Sequence, residues 1–330
     1  MLRLLKRFWL ARRARRDRQS LTHEPSGPAL LTHNPQHIIY VREYYRYCVS
    51  LFRDALKRNP QAMQLVFGDY PACGASMPVR HITFQIEHTI VKPGGGDSEG
   101  APESRTRMRS ADGYYLARLL HRPRLVQTDL IVDYSSANIR HLQAAGGFDD
   151  VLPRMIAIAP LLHARNFSAE RRDVPVLTLF SNPDEGRRAA LLKDARSRRL
   201  PVRNRKRCFD GEALQTCYGR SRILLNVRRT EHHDTIEELR ILPALMSGVI
   251  VVSEDGPLRD CLPYARYVVW ADYERLLDQC TEVLREYEVW HERLFGDQTL
   301  ITLLERMEAQ NVDLVEKALA AWSAGRDVAF

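Results

Sequence analysis

The sequence predicts an α/β protein made of two Rossmann-like domains, each carrying a mostly parallel sheet. Three observations predict it. Short apolar runs alternate with helical stretches between Gln64 and Pro160. The alternation breaks over the charged, non-periodic stretch Leu161–Asp173, then restarts at Val174 and continues to Tyr287. A chain of 330 residues has room for two domains of ordinary size, and strands that alternate with helices favour parallel sheets.

Residues 1–20 read as a basic tail. Arg3, Lys6, Arg7, Arg12, Arg13, Arg15, Arg16 and Arg18 stand against Asp17 alone, so most of the net charge of +8 lies here and the body is nearly neutral. A nucleic-acid enzyme spreads positive charge along a binding face, so no nucleic-acid partner is expected. Leu2, Leu4, Leu5, Phe8, Trp9 and Leu10 interleave with the charges. Residues 1–18 therefore read either as an amphipathic helix for an anionic membrane surface or as a disordered start. Charges interrupt every apolar run, which argues against a transmembrane helix or a secretory signal. The expectation is a cytoplasmic protein, peripheral at the inner face of the membrane if the tail binds lipid.

The elements follow in order. Thr22–Gln36, with Pro25, Gly27, Pro28 and Pro35, is expected to be turn-rich. His37–Arg58 carries apolar residues near helical spacing and reads as a helix. Gln64–Gly68, His81–Thr89, Leu125–Tyr134 and Met155–Pro160 read as strands, with helices at Tyr114–His121 and Ala137–Ala145. Lys92–Ser110 is a polar, glycine-rich loop. Its Gly94-Gly95-Gly96 run leads into no helix, so it lacks the context of a phosphate-binding fingerprint.

In the second half, Val174–Phe180, Pro201–Arg207, Arg222–Val227, Val249–Ser253 and Tyr267–Trp270 read as strands. Helices are expected at Arg187–Arg198, Gly211–Tyr218, Thr235–Ser247, Tyr273–Tyr287 and Thr299–Trp322. The expected organisation is a tail at 1–20, an N-terminal domain at 21–165, a C-terminal domain at 166–290 and a helical segment at 291–330. That last segment is placed to pack back across both domains. Cys48, Cys73, Cys208, Cys217, Cys261 and Cys280 show no metal-ligand spacing and read as reduced, buried or half-buried thiols, so no metal site is expected.

The richest segment runs from Arg222 to Glu254. A buried strand delivers the polar loop Arg228-Arg229-Thr230-Glu231-His232-His233-Asp234, which feeds a helix with an acidic first turn. Ligands of open α/β sheets bind at the carboxyl ends of strands, where helix N-termini offer N–H groups to a phosphate. Thr235 and Glu238 fit a capping box, so Glu238 reads either as a cap or as a ligand contact, with Glu237 beside it. His232 and His233 read either as solvated loop histidines or as groups that bond a phosphate or sugar and carry a proton. Glu254, at the next strand end, reads either as a ligand contact or as the cap of a turn. In the N-terminal half, Glu87-His88 closes an apolar strand. His88 reads either as a hydrogen-bonded strand-end histidine or as a base.

The run Leu224-Leu225-Asn226-Val227, then Glu237 to Glu254 (EELRILPALMSGVIVVSE), then the strand Tyr267–Asp272 (YVVWAD), resembles the C-terminal domain of GT-B glycosyltransferases of the group-1-like and CgeB-like set. The resemblance is specific from about Val174 to Tyr287. It implies metal-independent transfer of a sugar from a nucleotide-sugar donor, held mainly by the C-terminal domain. The acceptor would be a glycan or lipid-linked molecule approached from the N-terminal domain, as in cell-surface polysaccharide or glycoconjugate synthesis. No cofactor is implied, since the nucleotide sugar is the substrate.

On this resemblance, Arg187, Arg188 and Lys193 match the family's diphosphate-holding positions; helix surfaces also commonly carry such charge. Arg229 is a further phosphate candidate, and Glu231, His232, Glu237, Glu238 and Glu254 are donor-side candidates. His88 and His233 are the candidates for proton transfer. One departure stands out. Aligned on Ala244-Leu245-Met246-Ser247-Gly248, the Glu-x7-Glu pair of retaining members falls on Thr235 and Pro243. The alternative is a GT-B-like protein that binds without turnover, or a membrane-recruited scaffold.

Overall fold

A computed structural model describes residues 20–36, 41–74, 76–93, 115–119, 121–169, 172–184, 186–206, 208 and 210–330. The tail at 1–18 and the triglycine at 94–96 lie outside the described residues. The chain forms a mixed α/β structure with two sheets of largely parallel strands.

The first sheet contains β1 (Thr22–Ser26), β2 (Ala29–His33), β3 (Gln64–Phe67), β4 (Val79–Gln85), β7 (Leu130–Asp133) and β8 (Met155–Ala157), side by side in that order. All neighbours are parallel except β1 and β2. That pair corrects the turn-rich expectation for Thr22–Gln36. Gly27 takes φ 61°, the left-handed value that a two-residue hairpin turn needs at its first position. Tyr114–His121 is corrected as well: β6 (Leu116–Ala117) pairs with β5 (Ile90–Val91) as an antiparallel ribbon.

Strand β7 shows how this sheet is filled. All four residues are buried, and their side chains alternate between faces. Leu130 and Val132 join α1 (Arg42–Arg58) in one core, through Tyr44, Tyr45, Phe52 and Leu56. Ile131 joins the opposite core, with Leu125 from the single helical turn α2 (Arg122–Leu125), Leu142 from α3 (Ser136–Ala145), and Phe148.

The second sheet contains β9 (Val174–Thr178), β10 (Val202–Asn204), β11 (Ser221–Asn226), β12 (Ile250–Glu254) and β13 (Val268–Ala271). The spatial order is β10-β9-β11-β12-β13, all parallel. The winding direction reverses between β9 and β11, which makes the carboxyl ends of those two strands the topological switch point. Helices α4 (Gly186–Ser197), α5 (Gly211–Gly219), α6 (Glu238–Met246), α7 (Leu276–Arg285) and α8 (Tyr287–Phe295) follow these strands in sequence. Helix α6 starts three residues later than its apolar periodicity predicts.

The long helix α9 (Thr299–Ser323) crosses between the two sheets. Its buried residues recur every three or four positions, from Leu300 and Leu304 through Asn311 to Val315 and Trp322. Leu300, Leu304 and Met307 complete the core of the second sheet, whereas Val315, Ala318, Leu319 and Trp322 complete that of the first. Asn311 sits between the two sets. Its amide accepts from the Ala159 N–H at 2.9 Å and donates to the Ala159 carbonyl at 2.9 Å and to the Tyr47 hydroxyl at 3.0 Å.

The linker Leu161–Asp173 is pinned by Arg172. This guanidinium is 5% exposed and donates to the carbonyls of Ser168, Tyr218, Ser221 and Ser247. All six cysteines are free thiols, and Cys73 departs from the expected burial by standing exposed. Among the described residues, no helix is long and apolar enough to cross a membrane.

Candidate functional site

The carboxyl ends of strands from both sheets line one cleft of about 460 Å³. Ile86, Glu87 and His88 follow β4, and Tyr134 follows β7. Opposite them stand Leu179, Ser181 and Asn182 after β9, and Arg229 and Glu237 after β11. The cleft therefore opens at the switch point of the second sheet, where an α/β sheet receives its ligands.

A backbone clamp fixes the two sides. The loop after β11 runs extended along the segment after β4. Lys92 N–H donates to the His232 carbonyl at 2.8 Å, and Asp234 N–H donates to the Ile90 carbonyl at 3.0 Å. The Thr235 hydroxyl accepts from the Thr89 and Ile90 N–H groups at 2.8 and 2.9 Å. This corrects the capping-box reading. Thr235 serves the first sheet's loop, Glu237 occupies the N-cap position of α6, and no side-chain cap bond forms there. The pairing at His233 and Asp234 and the two bonds to Thr235 tie this stretch to the first sheet, which is why the helix starts late.

The clamp brings the two candidate proton carriers together. His88 and His233 stack with ring centroids 4.6 Å apart and planes at 19°. His88 Nε2 lies 4.0 Å from Glu237 Oε1, and His233 Nδ1 bonds the Thr230 hydroxyl at 2.9 Å. Burial pushes the Glu237 carboxyl up, but Arg240, His88, Arg188 and His233 together hold it below the ordinary glutamate value. Glu237 therefore stays ionised at neutral pH beside a histidine pair.

Three guanidinium groups, those of Arg188, Arg229 and Arg240, line the cleft against the carboxylates of Glu87 and Glu237. Arg188 is 4% exposed, lies over the Phe180 ring at 4.6 Å and donates twice to the Val227 carbonyl. Burial, aided by Arg240, lowers it to about 10, so it remains a fixed cation. Arg229 is exposed. With its amide oriented to satisfy both ends, Asn182 accepts from Arg229 at 3.2 Å.

The other candidates are placed elsewhere. Arg187, Glu231 and Glu254 line a separate chamber of about 380 Å³, where six carboxylates face three cations. Glu254 is clamped there by Arg187 and Arg228, each donating to Oε1 at 2.6 Å. Burial pushes the Glu254 carboxyl up, and the two guanidinium groups bring it below its ordinary value. Arg187 also lies over the Tyr273 ring at 4.2 Å. Freeing it for a phosphate would break a buried ion pair. His232 and Lys193 line neither cavity, and Lys193 is exposed on α4.

Glu238 points away from the cleft. It is 3% exposed, faces Ser135 and Tyr264, and is raised to about 7 by burial. Asp133, fully buried at the end of β7, accepts from Ser135 N–H at 2.9 Å and from the Asn138 amide at 3.0 Å. Burial raises it to about 8. Pro243, where the resemblance expects a glutamate, is buried inside α6. Sequence reasoning missed Arg240, Tyr134 and Asp133, and it placed Arg228 in the ligand-facing loop without its bond to Glu254. Arg240 alone carried a signal, lying three residues after Glu237 and so on the same helical face. Among the described residues, no group of three or more His, Cys, Asp or Glu is arranged to hold a metal ion.

Fold and cleft together define an α/β protein of two largely parallel sheets, with an arginine-bearing cleft at a switch point and His88 on its wall; His233 stacks on His88 but lines neither cavity. No family model matches the chain. It is similar to an uncharacterized protein of Acanthamoeba polyphaga mimivirus, with 25% identity over 171 residues. The match covers 51% of this chain and 57% of that protein.

Proposed function

We propose that the chain is a glycosyltransferase with the two-domain GT-B arrangement, moving a sugar from a nucleotide-sugar donor to a glycan or lipid-linked acceptor. The observation that carries this reading is the grouping of Arg188, Arg229 and Arg240 with His88 and Glu237 in one cleft at the switch point. Glycosyl transfer from such a donor builds negative charge on a departing diphosphate. Fixed guanidinium groups stabilise that charge as it develops. The neighbouring chamber, with its carboxylate excess, repels it. The diphosphate therefore belongs with Arg188, Arg229 and Arg240, while Arg187 orders Glu254.

His88 reaches the cleft from the acceptor side and takes the proton of the acceptor hydroxyl. Glu237 stabilises the imidazolium that results. His233 packs against the His88 ring and holds its orientation. Calorimetric titration of the full chain with UDP-, GDP-, ADP- and CMP-sugars tests this reading. Binding of one of the donors supports it, and silence across the whole panel would overturn it.

A second reading rests on Pro243. With no glutamate at that position, the same cleft would bind a nucleotide sugar without turnover. Release of free sugar or of a glycosylated acceptor from a bound donor separates catalysis from binding.

A further inference from the structure

A cavity of about 350 Å³ lies where both sheets meet α9, and Tyr134 lines it as well as the cleft. Ile156, Ala157 and Ala159 contribute from β8 and just beyond, Pro263 from the loop after β12, and Met307 and Leu314 from α9. Glu238 reaches in from the first turn of α6. Among the described residues, no lysine, arginine or histidine lines this space. Gln310 and Asp313 stand exposed at its rim. The Asn311 amide is already committed to Ala159 and Tyr47.

Glu238 is thus the buried polar group available to an occupant. Its Oε1 has no hydrogen-bond partner of good geometry among the described residues, although Ser135 and Tyr264 stand close enough to favour its ionised form. Leaving such an acceptor unsatisfied costs about 1–3 kcal/mol, which a donor from a ligand recovers. An anion would meet Glu238, and Asp313 at the rim, with no cation among the lining residues to offset them. A cation with N–H groups supplies both the donor and the compensating charge.

We propose that this cavity binds a small primary amine with an apolar body, its ammonium group seated on Glu238 and its hydrocarbon against Ile156, Pro263, Met307 and Leu314. The site is distinct from the cleft and opposite to it in charge preference. The groups facing Glu238 are Asp133, Tyr134 and Ser135 from the β7 end, Tyr264 from the loop after β12, and Asp313 at the rim. Tyr134 and Tyr264 are held far above their ordinary values by burial and stay neutral. Because burial raises Glu238 to about 7, seating an ammonium ion releases the carboxyl proton to solvent. Affinity therefore rises with pH through neutrality.

Benzylamine is the probe, with benzyl alcohol as its neutral counterpart, titrated calorimetrically into the full chain. Benzylamine binds about tenfold more tightly at about pH 8 than at about pH 6, following the ionised fraction of Glu238. Glu238→Gln weakens it by about tenfold or more and removes the pH dependence. Leu314→Trp, which fills the cavity from the opposite wall and leaves Glu238 intact, weakens it as well. Thermal melts confirm that both variants fold. No benzylamine binding to the unaltered protein, equal binding to Glu238→Gln or Leu314→Trp, or equal binding of benzyl alcohol would each overturn the proposal.

Discussion

His88 and His233 stack at 4.6 Å although one follows β4 of the first sheet and the other follows β11 of the second. The contact depends on a short antiparallel pairing in which Val91 bridges to His233 and the Thr235 hydroxyl accepts two N–H groups from the first sheet's loop. The backbone sets the distance between the rings, so the histidine pair is positioned before any ligand arrives.

Replacing His88 by Gln keeps a polar side chain of similar reach and removes the base. On the proposed reading, kcat/KM for sugar transfer falls by about 10²–10⁴-fold. Donor affinity, set by the arginines, changes little. Steady-state kinetics combined with donor titration separate the two effects. Undiminished turnover would take His88 out of the chemistry.

Arg229→Ala and Arg187→Ala should fail differently. Arg229 is exposed on the cleft, so its loss weakens donor binding by about 10–100-fold, the value of one charge-assisted hydrogen bond, and leaves the unfolding midpoint near that of the parent. Arg187 is one of two guanidinium groups on the buried Glu254 carboxylate. Its loss appears first in urea unfolding, by about 1–3 kcal/mol, because Arg228 remains on the carboxylate. Donor titration and unfolding curves on both variants check the contrast.

Thr235→Val removes the acceptor shared by the Thr89 and Ile90 N–H groups at nearly constant volume. Each buried donor left unsatisfied costs about 1–3 kcal/mol. Thr235→Ser retains the hydroxyl and most of the stability. Hydrogen exchange at the Thr89 and Ile90 amides, faster in the Val variant, provides a local check.

The buried carboxyls give stability a pH dependence of defined sign. Glu238 is raised from 4.5 to about 7, and Asp133 from 3.8 to about 8. Between the unfolded and folded values the native state holds the extra proton. Stability is therefore fully present below the unfolded values and falls as pH rises through the folded ones. For Glu238 alone the loss is about 3 kcal/mol. Urea unfolding at about pH 5 and about pH 8 should show the parent losing more stability than Glu238→Gln across that window. A parent and variant with parallel profiles would contradict this assignment.

The parallel strands were legible because short, continuous apolar runs such as Leu130–Val132 and Ile250–Val252 have one natural use, burial on both faces of a sheet. The stripe of α9 was legible for a similar reason. The β1–β2 hairpin was not, because Pro25 and His33 obscure a strand whose partner lies far along the chain at β3. The start of α6 was misread because non-local pairing outcompetes a local capping signal. At the site, Arg187 and Arg229 look alike in sequence, and only the position of Glu254 separates a structural arginine from one facing the cleft. Arg172 looks like one more charge in the linker; its purpose comes from four carbonyls, three of them distant in sequence.

The path of α9 also bears on how the chain acquires its structure during synthesis. Val315, Ala318, Leu319 and Trp322 cover the same face of the first sheet as α1. They leave the ribosome only after the whole second sheet has been made. The first sheet therefore waits with α1 incompletely covered, Tyr47 still lacking its Asn311 partner. Domains ordinarily fold in turn from the N-terminus. Here the earlier half is completed after the later one, and the nascent chain carries a sticky surface until α9 arrives.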